Sequence, residues 1–117
     1  MPIIHSSNAH TEEGYPGVSR AVLVDSSQGA QSLYVAQLTI NPGARVTTHI
    51  HPDSEESMTI LEGELEAILG DEVVVLGPGD TVLAPAGVKH GFVNRTDASA
   101  ALLAVFPQTH FERVAVD

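Results

Sequence analysis

The sequence predicts an all-β chain closed into one small barrel, and three observations lead there. Turn-forming residues recur at short intervals: Asp25-Ser26-Ser27-Gln28-Gly29, Asn41-Pro42-Gly43, His51-Pro52-Asp53-Ser54, Glu62-Gly63, Gly70-Asp71, Gly77-Pro78-Gly79-Asp80, Pro85-Ala86-Gly87 and Asn94-Arg95-Thr96-Asp97. Between them lie runs of five to ten residues rich in Val, Ile, Leu and Thr, a rhythm of sandwiches and barrels rather than βαβ units. No segment sustains the helical period.

Strands are expected at residues 20–25, 32–40, 45–51, 57–62, 64–69, 72–76, 81–84, 89–94 and 99–106. Residues 98–105 hold enough alanine for a helix, but the turn at Asp97 and the stop at Pro107 favour a buried strand. Residues 108–117 stay unassigned. Meander and Greek-key closures both satisfy this strand order.

At 117 residues the chain has room for one domain, residues 1–117, with the polar residues 1–15 read as a flexible or dimer-contacting arm. Three Phe, two Tyr and no Trp leave the core to Val, Leu, Ile and Ala. Fifteen acidic side chains against five basic ones give a net charge of −10, which repels phosphate backbones and anionic membranes. Nucleic-acid and membrane partners are therefore not expected. Absence of cysteine excludes disulfides, thiolate catalysis and thiolate ligation. The start, Met1-Pro2-Ile3-Ile4-His5, lacks the layout of a secretory signal, and no apolar run nears the ~20 residues that span a membrane. A cytoplasmic location is the expectation.

Chemistry concentrates in the histidines. His49 and His51 are separated by one residue within a strand-like run, so both imidazoles point to one face. Glu56 follows across the turn Pro52-Asp53-Ser54-Glu55. If that turn closes a hairpin, Glu56 opens the returning strand beside them and supplies the carboxylate that a two-histidine divalent site needs. Glu55 is its rival; on the returning strand Glu56, Met58 and Ile60 share one face, and Glu55, Ser57, Thr59 and Leu61 the other. His90 follows the tight turn Pro85-Ala86-Gly87 and starts a strand with Phe92 and Asn94 on its own face. His5, His10 and His110 lie in terminal segments and read as surface residues.

The joint spacing is more specific than any single residue. Gly43, five residues, His49-X-His51, four residues, Glu56, six residues, Gly63 resembles the first signature of the cupin superfamily. Gly79, five residues, Pro85-X-Gly87, two residues, His90, three residues, Asn94 resembles the second, fifteen residues further on. The resemblance covers residues 43–94, the motif-bearing core, and is to the small single-domain RmlC-like members.

That resemblance implies a jelly-roll-like barrel of six to eight strands, with His49, His51, Glu56 and His90 as ligands of one divalent transition metal. Three imidazoles and a carboxylate suit Fe, Mn, Ni, Co, Cu or Zn alike. Met58, Ile60, Phe92 and Phe106 are the candidate walls of a substrate pocket. No catalytic residue beyond the ligands stands out, Glu56 and Tyr34 being the sole acid–base candidates nearby. The resemblance further implies a homodimer and a small-molecule substrate. Its leading activity is a metal-dependent dioxygenase acting on an enol, diketone or flavonoid-like compound. Its alternatives are a non-redox isomerase or lyase using the metal as a Lewis acid, and a non-catalytic metal- or ligand-binding protein.

Overall fold

Eight strands pair as nested hairpins in the computed structural model, which describes residues 2–116. They are β3 (Tyr34–Ile40), β4 (Arg45–Ile50), β5 (Glu56–Glu62), β6 (Leu65–Leu69), β7 (Glu72–Leu76), β8 (Thr81–Ala84), β9 (His90–Val93) and β10 (Ala100–Phe106). The innermost hairpin is β6 with β7; around it β5 pairs with β8, β4 with β9 and β3 with β10, all antiparallel. Rolled up, this nest gives two facing sheets, the jelly-roll closure rather than a meander. β1 (His10–Tyr15) and β2 (Val18–Val24) extend one sheet, in the order β1-β2-β3-β10-β5-β8, and β11 (Val114–Ala115) extends the other, β11-β4-β9-β6-β7.

Each of the nine expected strands has its counterpart. The sequence reading has no strand before residue 20, yet His10–Tyr15 pairs with β2 from His10↔Val22 onward. Its side chains are mostly exposed, so it carries no alternation of apolar and polar residues. Residues 100–106 form a strand, not a helix, and β10 sits between β3 and β5 at the centre of its sheet.

The core lies between the sheets. Ile40, Ile60, Leu65, Phe92 and Leu102 are each at most 2% exposed, every such side chain contributing about 1.5–3 kcal/mol of burial. β5 alternates buried and half-buried positions from Glu56, so Glu56, Met58 and Ile60 all face inward. Asn94 is buried with its donors and acceptor satisfied: its amide nitrogen donates to the Ile40 and Ala98 carbonyls, and its oxygen accepts from Thr96. It is a staple between loops. Among the described residues, no helix is long and apolar enough to cross a membrane.

Candidate metal centre

Three local devices bring the polar cluster together. β4 and β9 are neighbours, with His49 directly opposite His90. The Gly87 N–H, in a turn whose positive φ of 80° suits glycine, donates to the His51 carbonyl across 3.0 Å and ties the loop before His90 to the loop after β4. Glu56 comes from the opposite sheet. Here the hairpin expectation fails: both edges of β4 are occupied, by β9 and β11, so β5 crosses to the other sheet and presents Glu56 across the barrel. Glu55 is exposed and takes no part.

His49, His51, Glu56 and His90 are all buried, and one ligand atom from each falls within 4.8 Å of the others. His90 Nε2 lies 2.9 Å from Glu56 Oε1, His51 Nε2 lies 3.3 Å from the same oxygen, and His49 Nε2 lies 3.2 Å from His51 Nε2. The far nitrogens have acceptors of their own. His49 Nδ1 faces the Thr47 carbonyl at 2.7 Å, His51 Nδ1 the Glu112 carbonyl at 2.6 Å, and His90 Nδ1 the Val88 carbonyl at 3.2 Å. A carbonyl only accepts, so a neutral ring that turns an Nε2 lone pair to the cluster carries its proton on Nδ1. Three lone pairs and a carboxylate oxygen then face one another in a buried space.

Such a set repels itself unless cationic charge sits among it. A divalent ion suits it: two donors at right angles on one ion, each ~2.1 Å away, stand about 3.0 Å apart. Backbone carbonyls behind metal-facing imidazoles are also the usual outer support of such ligands. The electrostatics agree. Burial lowers His49 from 6.5 to about 4, against the opposing pull of the Thr47 carbonyl, so the ring stays neutral. Burial pushes the Glu56 carboxyl up, but in the metal-free cluster an Nε2–H of His51 or His90 can donate to it, which outweighs burial and makes the net direction down. Neutral imidazoles and an ionised carboxylate are the forms that bind metal.

The cluster floors a cavity of about 140 Å³, where one water needs roughly 10–15 Å³. Of the expected walls, Met58, Phe92 and Phe106 line it. Ile60 does not: it is two residues deeper along β5 and 1% exposed, packed in the core. Tyr34 lines it too, and burial raises its phenol above 10, keeping the hydroxyl protonated. His5, His10 and His110 are exposed, and none belongs to the cluster.

Among the lining residues that the sequence does not single out are Tyr15, Arg20, Phe111 and Arg113. Phe111 stacks on Phe106 with centroids 3.7 Å apart and rings 8° from parallel, and meets His51 edge-on at 5.3 Å. Phe111, Glu112 and Arg113 therefore form part of the site. The one signal available in the sequence was the scarcity of basic residues, which makes each arginine conspicuous in so acidic a chain.

A family model described as "Cupin domain" matches residues 36–106. Among curated proteins, Protein SchB of Streptomyces halstedii is 36% identical over 74% of this chain and 63% of its own length. The tetracenomycin polyketide synthase protein TcmJ of Streptomyces glaucescens is 32% identical over 74% of this chain and 58% of its own. The chain thus spans about 60% of the length of these curated relatives. Among solved structures, the polyketide cyclase RemF from Streptomyces resistomycificus superposes with a TM-score of 0.86 at 24% identity, over 100% of this chain and 86% of that one. A sugar phosphate isomerase from Silicibacter pomeroyi gives 0.82 at 27% identity, over 99% and 82%.

Proposed function

The chain belongs to the cupin family, and from that premise we propose that it is a metal-dependent cyclase-type enzyme acting on a poly-β-ketone or related enolisable aromatic precursor. One observation carries the reading: a three-histidine, one-carboxylate cluster forms the polar floor of a cavity whose apolar lining includes Met58, Phe92, Leu102, Phe106 and Phe111. Flat, apolar substrates with a chelating pair of oxygens fit such a shape. The names of the polyketide synthase relative and of the cyclase structure support it.

His49, His51, Glu56 and His90 would hold the metal. Once bound, a divalent ion supplies Lewis acidity that makes a carbon between two carbonyls more acidic. Phe106 and Phe111 present stacked faces that orient a ring and exclude water. Tyr34, kept protonated by burial, would donate to the alkoxide formed when that carbon, its proton lost to water, adds to a distant carbonyl, and would regain a proton from water. Addition conserves all atoms, and aromatisation then releases water. No oxidant enters.

The dioxygenase reading shares the enolic substrate but needs dioxygen, and none of the relatives above carries a name for oxygen chemistry. An isomerase-type Lewis-acid reaction is the nearer alternative, given the sugar phosphate isomerase among the solved structures. A small-molecule substrate and pairing of two chains through terminal strands complete the proposal. The test supplies metal-loaded protein with poly-β-ketone chains released from a minimal polyketide synthase, with and without air. Cyclised product in equal yield under both conditions, lost in His90→Ala, is the expected result. Oxygen uptake coupled to product would transfer the reading to a dioxygenase, and an unchanged product mixture would end it.

A further inference from the structure

We infer that Arg113, braced by Tyr15, is a subsite for a carboxylate on the substrate, at the mouth of the cavity and apart from the metal ligands. The inference rests on the proposed function only in taking this cavity as the substrate site. Only five of the 117 side chains are Lys or Arg, and two of them, Arg20 and Arg113, line this one cavity. Their surroundings differ. Arg20 has an anion at hand, with Glu12 Oε1 3.5 Å from its Nη1.

Arg113 has neutral partners. Its Nε donates to the Tyr15 hydroxyl across 2.6 Å, and Nη2 donates to Thr47 Oγ1 across 3.0 Å. Its guanidinium carbon stands 4.9 Å from the centre of the Tyr15 ring. None of the ion pairs among the described residues includes Arg113. In a chain of net charge −10, Arg113 is held by two hydrogen bonds and yet pairs with no carboxylate.

Two bonds occupy two of the five guanidinium N–H groups and leave the others for a ligand. The fork is already held in one orientation, so little side-chain entropy remains to be lost when an anion docks. A planar fork matches a planar carboxylate in bidentate fashion. Charge count points the same way. Glu12 offsets Arg20, which leaves one uncompensated cation at the mouth, suited to a monoanion rather than a phosphate dianion. The acidic end of the substrate would rest on Arg113 while its enolisable end reaches the histidine cluster. A free acid, rather than a neutral ester or thioester, is therefore the form recognised.

The test measures binding of 2-naphthoate and of methyl 2-naphthoate to the zinc-loaded protein by calorimetry. Wild-type protein should bind the acid at least tenfold more tightly than the ester. Arg113→Gln should abolish that preference with zinc content unchanged, whereas Arg113→Lys, which keeps the charge, should restore part of it. Thermal unfolding of each variant reports whether the segment stays folded. An acid preference that survives in Arg113→Gln would place the carboxylate on the metal and overturn the inference. Wild-type protein that does not favour the acid overturns it equally. Neither result touches the cyclase reading, which is judged by product formation.

Discussion

The Nδ1–H of His51 donates to the backbone carbonyl of Glu112 across 2.6 Å, although the two residues stand 61 positions apart. A metal-facing imidazole is thus aimed by the C-terminal segment. That segment is itself anchored, by the Glu112 N–H donating to Asp53 Oδ1 across 3.0 Å and by Phe111 stacked on Phe106. Outer-shell partners of metal-bound histidines commonly contribute 10- to 100-fold in affinity. A chain ending at Pro107 keeps the eight nested strands and should lose metal affinity on that scale, measured by competition with a chromophoric chelator. Asp53→Ala should give a smaller loss in the same direction. Unaltered affinity in both would show that the carbonyl does not orient the ring.

Removal of a ligand is a coarser test. Replacing His51 or His90 by Ala should reduce metal per chain from near one to a small fraction, since each supplies one of four converging donors. Glu56→Gln should do likewise while keeping the volume. His110→Ala should leave metal content unchanged, because His110 is exposed and touches Thr109. Elemental analysis after purification without chelators separates these outcomes, and equal losses in all four variants would mean the cluster is not the site.

Acid should act on the metal-free protein through two groups of this cluster. His49 ionises near 6.5 when unfolded but only near about 4 in the fold, because burial penalises its charge. Between those values the unfolded chain binds one proton more, so stability falls as pH drops from 6.5 towards 4 and is insensitive to this ring above 6.5. Glu56 is depressed in the fold, so its contribution is present above 4.5 and is lost as pH falls through its lower folded value. Metal adds a further dependence of the same sign, since protons compete for the imidazoles. Calorimetry on metal-free protein should show a Tm level from pH 7 to 8 and declining below 6.5. His49→Gln should flatten the upper part of that decline. A wild-type Tm constant down to pH 5 would contradict the buried neutral ring.

What the sequence made legible follows from what alternation and spacing can carry. The inward face of β5, with Glu56 and Met58, is written in a period of two, and the structure has that pattern. Which strand lies next to which is not written there. The loop Pro52–Glu55 reads as a hairpin turn, yet β4 has both edges taken, a fact that depends on β9 and β11 far along the chain. β1 escaped notice because an edge strand exposed on most of its length needs no apolar alternation. Phe111 and Arg113 were silent for a related reason: they act through an extended segment outside both motifs, and only the fold carries it back over the cavity.

The alignment of His49 with His90 depends on a residue that ligates nothing. Val46 pairs with Phe92 and His49 with His90, so Thr47 and Thr48 together oppose the single residue Gly91. This bulge turns both Val46 and His49 inward although they are three positions apart. The backbone of β4 presses on Gly91 in consequence. A Cβ placed there would stand 2.8 Å from the Val46 carbonyl oxygen and 3.3 Å from both Cα and N of Thr48. Those are backbone atoms, which cannot swing aside as a side-chain tip can. Gly91 lacks a positive φ, so the cost of alanine is steric rather than conformational. Gly91→Ala should therefore push β4 away from β9, destabilising the fold by about 1–3 kcal/mol. It should also weaken metal binding with all four ligands intact. Gly77→Ala is the matched control, since nothing lies within 4 Å of a Cβ there and its φ is likewise not positive. Thermal unfolding and chelator competition on the pair decide the point: indistinguishable behaviour of the two variants would mean that β4 can yield at the bulge, and that the spacing of His49 and His90 is held by something else.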